Sequence, residues 1–278
     1  MTALSSTDMD WLAALLLDVG TAEIMPRFRN LGDGDVQQKT SAADLVTEAD
    51  VAAERVITDA LLERFPDSMV IGEEAVAENP ALLEGWSQSD KLAFVVDPID
   101  GTFNFASGVA SFGVMLAVVQ GGETIAGIIH DPVGKDWIMA EKGSGAILRR
   151  LDGRENGLKV AEPVGAISRM IGSASWQYMP EPERSRIAAN QALCLGSVAY
   201  RCAAQEYRLL CGGHIHFALY NKLMPWDHLA GSLLTTEAGG YVRRFDGSAY
   251  RPEHLDGGVL AATDIDSWNM IREALWRT

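Results

Sequence analysis

The sequence predicts an α+β first half joined near residue 150 to an α/β second half. Three observations predict it. Helix-capping residues followed by apolar positions at helical spacing occur at Ser6-Thr7-Asp8 and again at Thr47. Apolar, β-prone segments separated by Gly- and Pro-containing turns fill residues 112–153. From Met170 onward, strand-like and helix-like stretches alternate to the end of the chain.

Taken in order, Ser6-Thr7-Asp8 caps a first helix with Leu12, Leu15, Leu16, Val19 and Ile24 among its apolar positions, ending near Pro26. Gly32 to Asp35 is a turn, and Lys39 to Val46 a connector or short strand. Thr47 caps a second helix to about Phe65, where Pro66-Asp67 stops it. Met69 to Gly72 is a short strand that delivers Glu73-Glu74; Ala77 to Lys91 is polar and reads as a surface loop or short helix. Leu92 to Val96 is an apolar strand expected to stop at Asp97, and Thr102 can open a helix. Phe112 to Val119, Thr124 to His130 and Trp137 to Glu141 are hairpin strands with turns at Gly121-Gly122 and Asp131 to Gly134, continued by Ala146 to Arg149. The second half reads as a strand at Met170 to Ala174, helices at Glu181 to Ala192 and Arg201 to Cys211, and a strand at Ile215 to Leu219. Trp226-Asp227-His228 then enters a helix ending at Gly239-Gly240. Strands at Tyr241 to Phe245 and Gly258 to Ala262 and a closing helix at Ile265 to Trp276 complete it.

Composition narrows the function classes. A chain of 278 residues can bury a sizeable core as one large domain or two coupled halves, 1–150 and 151–278. With 38 acidic against 23 basic residues and a formal charge of −15, it lacks the basic surface that nucleic-acid backbones require. The longest apolar run, Phe112 to Val119, is far too short to span a bilayer, and Met1 to Asp8 lacks the features of a signal peptide, so a cytoplasmic location is expected. Cys194, Cys202 and Cys211 show no Cys-x-x-Cys spacing and read as buried free thiols.

The chemistry-bearing segment is Asp97-Pro-Ile-Asp100-Gly-Thr102. Two carboxylates three residues apart repel unless a cation or shared proton lies between them. Pro98 fixes φ, Gly101 allows close approach, and a helix opened by Thr102 would point free N–H groups at an anion. Hard cation plus phosphate is the chemistry that fits, and an acid-rich surface turn is the alternative reading. Three companions carry acids where elements begin or end: Asp44-Leu-Val-Thr-Glu-Ala-Asp50, Gly72-Glu73-Glu74 and Trp226-Asp227. Carboxylates from separate elements suit two or three hard divalent ions that also keep waters. Each companion also has a plain structural reading: a capping box at Thr47 to Asp50, a solvated acidic pair at Glu73-Glu74, and a helix-start acid at Asp227.

Together, Asp44 to Asp50, Gly72 to Glu74, Asp97 to Thr102 and Trp226-Asp227-His-Leu-Ala-Gly231 resemble the inositol monophosphatase family, in that family's order and over most of the chain. The resemblance implies an αβαβα layered sandwich, Mg²⁺-dependent hydrolysis of a phosphate monoester, a homodimer and lithium sensitivity. It implies Glu73, Asp97 and the Ile99 carbonyl as ligands of a first metal, and Asp97, Asp100 and Asp227 as ligands of a second. It implies that Gly101 and Thr102 hold the phosphate. Asp50 and Thr102 would orient the attacking water, with Glu73 helping to hold a weaker third ion. Lys39, Arg201, Ala203 and Tyr220 fall at substrate-facing positions.

Two departures bear on substrate. Where the family carries Gly-Ser/Thr-Ala, the corresponding stretch of this chain reads Tyr200-Arg201-Cys202-Ala203-Ala204; where inositol-specific members carry an acid seven residues before the Trp-linked aspartate, it has Tyr220. Losing that carboxylate removes an acceptor for vicinal hydroxyls, which leaves Arg201, Glu206, His214 and Tyr220 as candidate specificity residues. The expected substrate is a small phosphorylated metabolite: an inositol, sugar, histidinol or nucleotide-type phosphate. A catalytically idle regulatory binding protein is the alternative from another class. Trp226 is expected to pack and thereby fix Asp227.

Overall fold

The computed structural model describes residues 4–32, 34–41 and 44–277, without the side chains of residues 39–41 and 44. The first helix, α1 (Ser6–Val19), is capped one residue earlier than expected: Ser5 and Asp8 form a reciprocal capping box, and a π-helical turn, Gly20–Ile24, extends the helix. The connector is a hairpin of β1 (Val36–Ser41) and β2 (Asp44–Thr47). Helix α2 (Glu48–Arg64) begins at the Thr47 cap, β3 (Met69–Gly72) follows, and Glu73-Glu74 opens a short helix, α3 (Glu73–Glu78). The polar stretch after it contains only 3₁₀ turns, at Pro80–Leu83 and Trp86–Gln88.

Strand β4 (Ala93–Asp100) does not stop at Asp97 as the turn signals predicted. It runs on to Asp100 through a bulge: Asp97 pairs with Met115 but Asp100 with Gly113, so Pro98 and Ile99 together lie opposite the single residue Val114. Helix α4 (Thr102–Ala106) begins directly after it. The hairpin region forms as expected, as β5 (Gly113–Gln120), β6 (Glu123–Asp131), β7 (Asp136–Glu141) and β8 (Ile147–Arg150), with a small added strand, β9 (Glu155–Gly157).

The second half contains β10 (Ile171–Ala174), α5 (Glu183–Asn190) and β11 (Gly196–Val198), the last too short and too polar to be read from the sequence. Helix α6 (Ala203–Cys211) starts two residues later than expected, because Arg201 takes a left-handed conformation with φ 52°. β12 (Phe217–Tyr220), α7 (Pro225–Glu237), β13 (Tyr241–Arg244), β14 (Val259–Ala262) and α8 (Ile265–Leu275) complete the chain.

Strand alternation builds the layers. A seven-stranded sheet runs β3-β4-β5-β6-β7-β8-β9, parallel between β3 and β4 and antiparallel elsewhere; a five-stranded sheet runs β11-β10-β12-β14-β13. On β4, Phe94 and Val96 face α1 and α2, packing with Leu12, Leu16, Ile57 and Leu61, whereas Val95 faces the opposite side with Tyr207, Leu229 and Ala230 of α6 and α7. The small sheet turns Ala218 and Ala261 toward those same two helices, and Phe217, Leu219 and Leu260 toward Ile187, Trp268 and Ile271 of α5 and α8. The result is the αβαβα sandwich, with α6 and α7 as its central layer. Each fully buried large apolar side chain contributes about 1.5–3 kcal/mol relative to an exposed one. Glycine makes the central layer possible: a Cβ at Gly127 would lie 3.0 Å from the α7 backbone at Ala230. Cys202 and Cys211 are buried as expected, but Cys194 is partly exposed.

Candidate active site

The bulge in β4 is what assembles the acids. In a regular strand, residues three apart point to opposite faces. The extra residue restores Asp97 and Asp100 to one side, where α7 brings Asp227 from its first turn. One oxygen of each of these three carboxylates lies within 4.8 Å of the others. Pro225 at the start of α7 sets that turn, and Trp226, 6% exposed, packs in the core next to Asp227 as its expected packing role requires. The cluster sits at the base of a cavity of about 470 Å³ that Glu73, Ile99, Gly101 and Thr102 also line.

Each acid is held by specific donors. Asp97 is buried and accepts the Ile99 N–H at 3.0 Å. Asp100 receives the Ala204 N–H from the first turn of α6 and lies 3.1 Å from Cys202 Sγ. Asp50 is fully buried, and the plain and the functional readings of Thr47 to Asp50 prove to be the same structure. Its Oδ2 accepts the Thr47 N–H at 2.8 Å and hydroxyl at 2.5 Å as a capping box, while its Oδ1 lies 3.1 Å from Thr102 Oγ1. Thr102 Oγ1 is also 3.0 Å from the Ile99 carbonyl oxygen.

Burial and mutual repulsion control the electrostatics. Desolvation, then Glu73, Asp100 and Asp227, push the Asp97 carboxyl well above the usual range. Desolvation, Asp100 and Glu73 do the same to Asp227, with Lys222 opposing them. Asp50 rises to about 7, chiefly by desolvation against the Thr47 hydrogen bond. Asp100 rises only to about 6, because its bonds to Ala204, Cys202 and Ala203 offset its desolvation. A crowd of buried acids that resists ionising, with oxygen-only donors converging from separate elements, fits a hard divalent cation.

Gly101, with φ 90°, turns the chain into α4, so the first N–H groups of that helix have no intrahelical acceptor. A Cβ there would lie 2.9 Å from the Ser111 carbonyl and 3.2 Å from Cys202 Cβ, which only glycine avoids. Asn104, missed in the sequence, donates to the carbonyls of Ser111 (2.8 Å) and Tyr200 (2.7 Å), tying this turn to the loop before α6.

Arg201, Ala203, Glu206 and Tyr220 line the cavity; His214 is exposed and does not, and the side chain of Lys39 lies outside the described residues. The Arg201 guanidinium stacks 3.8 Å from the Phe103 ring centroid. Glu206 is buried, accepts the Tyr200 N–H at 3.1 Å, and is pushed up to about 7 by desolvation against the Ser173 and Tyr220 hydroxyls. The buried Tyr220 hydroxyl is near enough to Glu206 to affect its ionisation, yet makes no hydrogen bond of good geometry among the described residues. The Tyr220 ring stacks 4.6 Å from His228, whose imidazole desolvation drives down to about 4. The sequence carried no signal for His228 as a wall residue.

Known proteins share this architecture. The Thermotoga maritima protein named fructose-1,6-bisphosphatase/inositol-1-monophosphatase is 33% identical over 215 residues, covering 77% of this chain and 76% of its own length. The Bacillus subtilis inositol-1-monophosphatase is 29% identical over 219 residues, with coverage of 77% and 78%. Escherichia coli Nus factor SuhB is 30% identical over 226 residues, with coverage of 78% of each chain. Among solved structures, a Thermotoga maritima IMPase superposes with a TM-score of 0.79 at 26% identity, covering 97% of this chain and 96% of that one. The sequence profile of the inositol monophosphatase family matches residues 9–277, and the chain belongs to this family of phosphatases.

Proposed function

We propose that this phosphatase hydrolyses a small phosphate monoester in a Mg²⁺-dependent reaction, with two ions and a weaker third. The observation that carries the reading is the meeting of Asp97, Asp100 and Asp227 within 4.8 Å at the base of the same cavity as Thr102, itself paired with Asp50. Glu73, Asp97 and the Ile99 carbonyl would hold one ion, and Asp97, Asp100 and Asp227 the other. Hard dications there supply charge neutralisation for the phosphate and acidity for a water.

The chain's own residues do the rest. The N–H groups of Gly101 and Thr102 hold phosphate oxygens, fixing phosphorus over the acids. Asp50 and Thr102 orient the attacking water, their oxygens being 3.1 Å apart. Residues 1–150 supply this machinery except Asp227, and residues 151–278 supply Asp227 and the wall facing the leaving alcohol. Lys39, Arg201, Ala203 and Tyr220 contact that alcohol, with Glu206 behind them. A homodimer, lithium inhibition and a cytoplasmic location belong to the same proposal, supported by the family relationship.

Phosphate release from a panel of monoesters tests it: inositol 1-phosphate, fructose 1,6-bisphosphate, histidinol phosphate and a nucleoside monophosphate, each with Mg²⁺ or a chelator. Turnover that requires Mg²⁺ is expected for at least one. No turnover of any of them under Mg²⁺ overturns the reading.

A further inference from the structure

Helix α2 buries a second acid, Glu54, against the start of α3, and neither the motif segments nor the chemistry above uses it. Ala49, Ala53, Ile57 and Leu61 form its sheet-facing stripe, and Asp50 and Glu54, one turn apart on an adjacent stripe, are both buried. Glu54 is 5% exposed. Its two oxygens accept the N–H groups of Glu74 and Ala75, each at 2.8 Å. Those are the second and third residues of α3, whose own cap, Gly72, has no side chain to satisfy them. The glycine is required: a Cβ at residue 72 would lie 2.2 Å from the Glu54 carboxyl carbon. The Gly72-Glu73-Glu74 segment therefore has a partner twenty residues earlier, and Glu73, the first residue of α3, is aimed by a helix start that Glu54 grips.

We propose that Glu54 is a positioning residue: it clamps the start of α3 so that Glu73 is presented to the cavity in the conformation that binds metal. The inference rests on the reading of Glu73 as a metal ligand. Because Asp50 and Glu54 share one rigid turn of α2, a single helix face then fixes both the water-orienting pair and the Glu73 side of the metal site. An amide at residue 54 presents an NH₂ group to one of the two N–H donors, so Glu54→Gln loses one bond and adds a donor–donor contact. Disturbing a residue that orients a metal ligand typically costs 10- to 100-fold in metal affinity.

Calorimetric titration of Mg²⁺ into the full-length protein, alongside the Mg²⁺ dependence of phosphate release, tests the proposal. In Glu54→Gln the Mg²⁺ dissociation constant and half-activating concentration should rise about tenfold or more, with kcat at saturating Mg²⁺ close to wild type. The decisive comparison is a double-mutant cycle. If Glu54 acts through Glu73, adding Glu54→Gln to Glu73→Gln produces no further loss of Mg²⁺ affinity. Equal losses in both backgrounds, or an unchanged Mg²⁺ affinity in Glu54→Gln, overturn it. Should Glu54→Gln fail to fold, Glu54→Asp keeps the charge on a shorter arm and should show an intermediate loss of Mg²⁺ affinity that likewise vanishes beside Glu73→Gln. An unchanged affinity in Glu54→Asp also counts against the clamp. Glu73→Gln alone separates the two levels of the argument: if it leaves Mg²⁺ binding untouched, the ligand assignment fails and not the clamp.

Discussion

Thr102 Oγ1 lies 3.1 Å from Asp50 Oδ1 across 52 positions of sequence, while the other oxygen of Asp50 caps its own helix. The carboxylate is thus immobilised from one side by Thr47 and from the other meets Thr102, which lines the cavity. A flexible acid would have to be ordered during the reaction; this one is ordered by folding, which is what orientation at a reacting centre requires.

Asp50→Asn keeps an oxygen for the Thr47 cap but loses the charge that, with Thr102, orients the attacking water. We expect kcat to fall by about 10²–10⁴ with the fold retained. Thr102→Val, which removes the hydroxyl but keeps the side-chain shape, should also lower kcat. Phosphate release and thermal unfolding measured on the same preparations check this. A kcat within a few-fold of wild type in Asp50→Asn removes Asp50 from the reaction.

Asp97→Asn and Asp227→Asn should abolish turnover, and in chelator both should melt higher than wild type. Each removes one member of a group of buried acids that raise one another's protonation. Stability gained where activity is lost is the signature of an acid cluster built for a cation. A lower melting temperature in both variants would mean that the carboxylates are structural.

The same acids set the pH response. Asp50, Asp100 and Glu206 have folded-state carboxyls at about 7, 6 and 7, above their ordinary values. Acids raised by folding contribute stability that is complete below their unfolded range, near pH 4, and lost as pH rises through about 6 to 7. His228 and His130, both lowered to about 4, act oppositely: their contribution is complete above pH 6.5 and lost as pH falls toward 4. Subtracting the melting temperature in chelator from that in Mg²⁺ cancels the histidines, which are not in the acid cluster. Because the cation competes with protons for Asp50's neighbours and Asp100, this difference should grow from pH 5 to pH 8. A difference independent of pH would show that the cluster does not bind the cation in its ionised form.

Asp50, Glu73, Asp100 and Asp227 were legible because each stands where an element begins or ends, and such places combine turn signals with charge. Asp97 was read from the same signals as a strand end, and the strand runs on past it. The bulge between Asp97 and Asp100 was not legible: Asp-Pro and Asp-Gly read as strand-ending turns, and only pairing with Met115 and Gly113 shows the strand continuing. Glu54 was hidden for a different reason. An acid within a helix reads as solvated unless the partner it buries against is known, and that partner is the backbone of another element. Arg201 likewise looked like a helix residue, because nothing local announces a left-handed arginine. What escaped the sequence were relationships between elements, and the fold alone creates those.

Gly101 offers a test in which backbone strain and close packing can be separated. Gly101→Ala places a side chain at φ 90° and sets its Cβ 2.9 Å from the Ser111 carbonyl, beside Cys202. Gly153, in the turn between β8 and β9, has φ 81° with nothing within 4 Å of a Cβ. Gly153→Ala should therefore show only the cost of left-handed backbone, roughly 1–2 kcal/mol, with activity unchanged. Gly101→Ala should be more destabilised than that and lose most of its turnover, because moving the turn displaces both Thr102 and the Cys202 contact to Asp100. Denaturant unfolding and phosphate release on the two variants decide it. Equal destabilisation with turnover retained in both would show that the Gly101 turn tolerates a methyl group and does not hold the phosphate closely.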